Sequence, residues 1–120
     1  MLRPLTADEV RFQLDCIPDD TPIEGNASAF DDETDARIVS EIKEELSGGC
    51  TWAWSIVRVR ANWREYAGDD FLSGCSYASE DEFRVPGGYF EDMKARALDE
   101  LNGQLARHAE NLKPLLVSYK

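Results

Sequence analysis

Cys16, Cys50, Cys75 and His108 are the residues of this chain with the widest chemical repertoire. Thiolates and an imidazole can hold zinc, and a cysteine beside a histidine can be a nucleophile with its base. The spacing supports neither. The three cysteines fit no CxxC pair and no ligand quartet, and an odd number cannot all pair. They read as three reduced, mostly buried thiols. His108, the single histidine, lies late in a helical stretch and reads as a surface or packing residue. "GCSYA" lacks the G-x-S-x-G spacing and the strand-to-helix elbow of a serine nucleophile.

Paired carboxylates could do general acid and base work. Asp69-Asp70 and Glu80-Asp81-Glu82 are such pairs, but in turns of an acid-rich chain they read as solvated caps. Asp31, Glu33 and Asp35 alternate as in a calcium loop. That loop then needs glycine at 36 and glutamate at 42, where this chain has Ala36 and Ile42. No P-loop or dinucleotide fingerprint occurs. The expectation is therefore no catalytic residue, no metal and no cofactor.

Charge is the stronger signal. The chain of 120 residues has 24 acids and 13 bases, a net of −11. Residues 1–50 hold 13 acids and 4 bases, a net of −9, and the rest carries only −2. A merely solvating coat has no reason to concentrate in one half. Such a field repels nucleic acid and speeds association with basic surfaces. The acids Asp19, Asp20, Glu24, Asp31, Asp32, Glu33, Asp35, Glu41, Glu44 and Glu45 are the candidate contact residues.

The length suits one domain over residues 1–120, and the 42% hydrophobic content supports a modest core. No apolar run is long enough to cross a membrane. The start, "MLRPLTADEV", shows no apolar signal region, so the expected location is the host-cell cytosol.

Hydrophobic periodicity gives the elements that must position these residues. Val10, Phe12, Leu14 and Cys16 alternate with polar residues, a half-buried strand. "IPDDTPIEGNASAFDD" reads as a long acidic loop. "DDETDARIVSEIKEELSGG" reads as a helix capped by Asp31 or Asp32, with Ile38, Val39, Ile42 and Leu46 on one face and Gly48-Gly49 as its stop. Glu41, Glu44 and Glu45 fall off that face. "REYAGDD" reads as a turn and "FLSGCSYA" as the strand after it, with Gly74 marking a bulge or close approach. Ser79 with Glu82 has capping-box spacing. "YFEDMKARALDELNGQLARHAENL" carries the stripe Phe90, Met93, Ala97, Leu101, Leu105 and Leu112, with Pro114 expected to end it. "LLVSYK" reads as a short strand or packed tail. The fold class is α+β, an antiparallel three-stranded sheet with two helices in β-α-β-β-α order, the helices most simply on one face.

"TWAWSIVRVRANW", residues 51–63, reads as the next strand. Its alternation puts Ala53, Ser55, Val57, Val59, Ala61 and Trp63 on one face. It puts Trp52, Trp54, Ile56, Arg58, Arg60 and Asn62 on the other. Trp54, Arg58 and Arg60 together suggest the stacking sheets of RNA-binding domains. A net of −11 opposes phosphate binding, so direct nucleic-acid binding is not expected. Arg58 and Arg60 are expected to pair with nearby carboxylates. Trp52 and Trp54 would serve as packing, or as an interface anchor if exposed.

Taken together, "TPIEGNA", "WAW", "VRVRANW", "GDDFLSGCSY", "EDEF" and "GGYFEDM", within about residues 21–101, resemble a group of short, acidic, mostly uncharacterised accessory proteins of phages and prophages. That resemblance implies a context in which small genes often encode inhibitors of host defence. The resulting expectation is a non-enzymatic inhibitor that presents acids, with Trp52 and Trp54, to a basic surface of a nucleic-acid-directed defence protein. Anti-CRISPR and anti-restriction activity, with possible nucleic-acid mimicry, are the forms expected. A structural or regulatory phage interaction module is the alternative, and an enzyme with unfamiliar chemistry the third.

Overall fold

The computed structural model describes residues 3–27 and 31–117, with side chains as far as residue 112. Its elements are β1 (Arg11–Pro18), α1 (Asp32–Ser47), β2 (Ser55–Trp63), β3 (Tyr66–Cys75), the single turn α2 (Glu80–Phe83) and the long α3 (Tyr89–Val117). Short 3-10 turns at Ala7–Glu9 and Thr51–Ala53 precede β1 and β2. The strands form one antiparallel sheet in the order β1-β2-β3. The fold is α+β, as the periodicity predicts.

Alternation on β2 decides which face is covered. Ser55, Val57, Val59 and Ala61 are buried on one face. Val57, Val59 and Ala61 meet Phe90, Met93, Ala97 and Leu101 of α3, with Phe12, Leu14 and Leu72 half-buried around them. The helix comes closest at β3. A Cβ on Gly68 would lie 2.5 Å from the Ala97 carbonyl oxygen and closer still to the Leu101 nitrogen. Only glycine fits between the two backbones. Arg96 then binds Asp70 across the same junction at 2.9 Å. The sequence reading differs here: Gly68 belongs to a strand, not a turn. The hairpin turn is only Arg64-Glu65, since Trp63 pairs with Tyr66.

Gly74 is where a bulge is expected, and the structure has one. Ser55 pairs with Cys75 and Val57 with Leu72, so β3 carries an extra residue there. Gly74 takes the positive φ of 65°. At Ser79 the hydroxyl accepts the Glu82 N–H, the short capped turn that the spacing predicts.

Three expectations need correction. First, α1 does not lie beside α3 under the sheet. Its Val39 and Ile42 pack with Ile23, Ala53 and Trp54 in a separate small core beyond the start of β2. The 3-10 turn at Thr51–Ala53 folds the connection back against α1, so the helix never reaches the sheet face. Second, that turn breaks the alternation before Ser55, so Trp52 and Trp54 do not share the open face with the arginines. Third, Pro114 does not end α3, which runs on to Val117. A proline forfeits one backbone hydrogen bond in a helix, and here the helix continues past that loss. The expected final strand or tail therefore falls partly in α3 and partly outside the described residues, at 118–120.

Candidate binding surface

The loop after β1 and helix α1 hold the ten acids that the charge pattern singles out, and the fold divides them into two groups. Four are tied to their own chain. The Asp19 carboxylate accepts the backbone N–H of Thr21 and of Gly74, each at 2.8 Å, so it joins the loop to the bulge of β3. Burial alone would raise its pKa, but those two N–H groups outweigh burial and hold it below the usual carboxylate range. Asp31 is the N-cap of α1 and accepts the Thr34 N–H at 2.6 Å, which lowers its pKa. Asp35 accepts the N–H groups of Gly25 at 2.8 Å and Ala27 at 3.0 Å, stapling the loop onto the helix. Glu24 pairs with Lys43, and that contact lowers its pKa.

The other six point to water. Asp20, Asp32, Glu33, Glu41, Glu44 and Glu45 are exposed. Among the described residues none of these six makes a side-chain hydrogen bond or ion pair. Five of them lie on α1. Helix geometry places Glu33, Glu41 and Glu44 within one broad side, with Arg37 and Ser40 among them and Glu45 at its margin. The whole helix carries six acids and two bases.

The position of two of these acids is unfavourable for the helix itself. Glu44 and Glu45 lie in the last turn of α1, where no basic residue is present. The macrodipole makes that end negative, so each carboxylate there opposes it by about 0.3–1 kcal/mol. The acids of the first turn, Asp32, Glu33 and Asp35, are favourable by the same rule.

The two tryptophans, read as packing or as interface anchors if exposed, belong to cores. Trp54 is only 4% exposed, and its indole N–H donates to the Thr21 carbonyl at 2.9 Å. Trp52 is half-buried, with its ring 5.5 Å from Phe83 and 6.4 Å from Tyr77. Trp54 is therefore withdrawn from the contact surface, and Trp52 can offer only part of one ring.

Among the described residues, neither core covers the second face of the sheet. Arg58 gives two hydrogen bonds to Asp15, at 3.0 and 2.7 Å. Arg60 grips Asp69 through both oxygens, at 2.7 and 3.1 Å. The arginines are thus neutralised across the sheet, as expected. Asp15 is held below its ordinary pKa chiefly by Arg58. Phe71, opposite Arg58 on β3 and 57% exposed, is the functional candidate the sequence reading missed. Placing "GDD" in a turn hid the signal. With Tyr66 starting the strand, Phe71 falls on the outer face by simple alternation.

Cys16, Cys50 and Cys75 are free. Cys75 borders a shallow depression of about 250 Å³ with Leu72, Ser73, Tyr77 and Tyr89. Burial pushes its thiol up to about 11, so it is protonated at neutral pH. His108 is exposed on α3, with its ring 5.5 Å from Tyr66. Among the described residues no three His, Cys, Asp or Glu side chains come together to hold a metal ion. Also among the described residues, no helix is long and apolar enough to cross a membrane.

Comparison of the chain with protein-family models, with curated proteins and with solved structures gave no match.

Proposed function

We propose that this chain works by binding, as a phage-encoded inhibitor acting in the host cytosol. In this reading the outer side of α1 docks on a basic surface of a nucleic-acid-directed defence protein, such as a CRISPR effector or a restriction enzyme. The observation that carries the proposal is the pair Glu44 and Glu45, unpaired at the helix end where the macrodipole disfavours them. Solubility could be met by acids anywhere on the surface. Acids held where they weaken their own helix imply a second demand, and a basic partner would supply it.

Glu33 and Glu41 extend the same side toward the N-terminus. Arg37 interrupts the row, so the surface complements a basic patch without copying an unbroken phosphate ladder. Trp54 has no part in contact. Asp19, Asp31 and Asp35 act indirectly, by fixing the loop and helix that present the free acids.

Phe71 favours a second reading, an interaction module without mimicry that docks through the open sheet face. An exposed phenylalanine among paired charges can serve as an aromatic anchor. One experiment separates the two. The protein captures its partner from host lysate, mass spectrometry identifies it, and both Glu41→Lys/Glu44→Lys/Glu45→Lys and Phe71→Ala are tested against it. Loss of binding in the lysine variant with binding kept in Phe71→Ala supports the acidic surface. The reverse pattern supports the sheet face and ends the first reading.

A further inference from the structure

The two edges of the sheet differ in a way that a solitary molecule does not need. An edge strand presents unpaired backbone groups that can pair with another chain, and proteins blunt such edges with bulges and charges. β3 is blunted twice. It carries the bulge at Gly74, and its middle holds Asp69 and Asp70, which would oppose their own copies in any self-pairing. β1 has no bulge, and its two charges, Arg11 and Asp15, are of opposite sign. Its eight residues pair with β2 in one unbroken register. Among the described residues no strand covers its outer edge.

β1 also complements itself. If two copies run antiparallel about Gln13, Arg11 falls opposite the partner's Asp15, and Phe12 opposite the partner's Leu14. Arg11 and Gln13 are exposed on the open face, while Phe12 and Leu14 are half-buried on the core face. Asp15 already takes Arg58 from one side, and the side-chain amide of Gln13 on its own strand donates to its two oxygens at 3.2 and 3.0 Å. The partner's Arg11 would approach it from the other, giving an alternating row of charge. Opposite charges and apolar pairs directly across a sheet are both stabilising.

We infer that β1 pairs antiparallel about Gln13 with β1 of a second copy of this chain, joining two sheets into one of six strands. This is independent of the proposed inhibitor role and stands or falls without any host partner.

The test is sedimentation equilibrium of the chain alone. Two molecules of net charge −11 repel each other. The dimer should therefore tighten as ionic strength rises from about 0.01 to about 1 M, where the Debye length falls from about 30 to about 3 Å. Gln13 would sit on the two-fold axis facing its own copy. Gln13→Lys and Gln13→Glu should each weaken self-association about fivefold or more, since like charges then face each other. An equimolar mixture of the two variants should form mixed dimers, counted by native mass spectrometry, in excess of either self-dimer. Arg11→Asp, at a second exposed position, provides the same weakening if a Gln13 variant fails to fold. A chain that stays monomeric at every concentration and salt overturns the inference. So does a dimer indifferent to these substitutions.

Discussion

Truncating Trp54 to alanine removes a ring that fills the small core between α1 and the start of β2, and with it the hydrogen bond to Thr21. The expected loss is about 3–5 kcal/mol in denaturant unfolding. Association with a basic partner should keep its rate, because the ring is not at the surface. Gly68→Ala should be as informative at the other core. The added methyl meets backbone on α3, not a movable side chain, so about 1–3 kcal/mol or more is expected from overpacking. Neither role was fully legible in the sequence. Strict alternation reads the Ser55–Ala61 face correctly, because those residues form a regular strand. It fails at Trp52 and Trp54, because Trp52 lies within a 3-10 turn, Thr51–Ala53, and Trp54 directly follows it, before the strand begins. Gly68 resembles any turn glycine until the helix that presses on it is placed, and that helix lies some thirty residues further along the chain.

At the scale of elements, α1 carries the functional reading. Its ends are legible from residue type to within a residue: Asp31 or Asp32 could cap one, the structure uses Asp31, and Gly48-Gly49 close the other. Asp31→Ala should therefore lower stability by about 0.5–2 kcal/mol, measured by chemical denaturation. Glu44→Lys with Glu45→Lys should do the opposite in the free protein. Lysines complement the negative end of the helix, so about 0.3–1 kcal/mol is gained at each position. The same pair should slow association with the partner. A rise in melting temperature joined to weaker binding is the signature of acids retained for contact and not for folding. What α1 packs against was not legible. Its apolar stripe says that one side is buried, but the same stripe would fit a sheet face or, as here, a loop and a tryptophan. α3 shows a similar limit, for its stripe is correct while Pro114 lies within the helix and not at its end.

Across the whole molecule, the paired carboxylates tie stability to pH. Asp15, Asp19, Glu24 and Asp31 all titrate below their ordinary range because the fold supplies cations or backbone N–H groups. A depressed folded-state pKa gives stability that is present above the unfolded pKa, about 4, and lost as pH falls through the folded value. Melting temperature should thus fall as pH drops below about 4. In Asp19→Asn that fall should be shallower, because one of the protonating groups is gone. An acid limb identical in the two proteins would remove Asp19 from the account.

The central claim is that these free acids meet a basic surface, and kinetics of binding to the captured partner address it most directly. Measured at low and at physiological salt, the wild-type association rate should fall as the Debye length shrinks from about 30 to about 8 Å, while dissociation changes little. Glu41→Lys/Glu44→Lys/Glu45→Lys should associate slowly at both salts, with circular dichroism showing the helix intact. An association rate that ignores both the salt and the three substitutions would contradict the account.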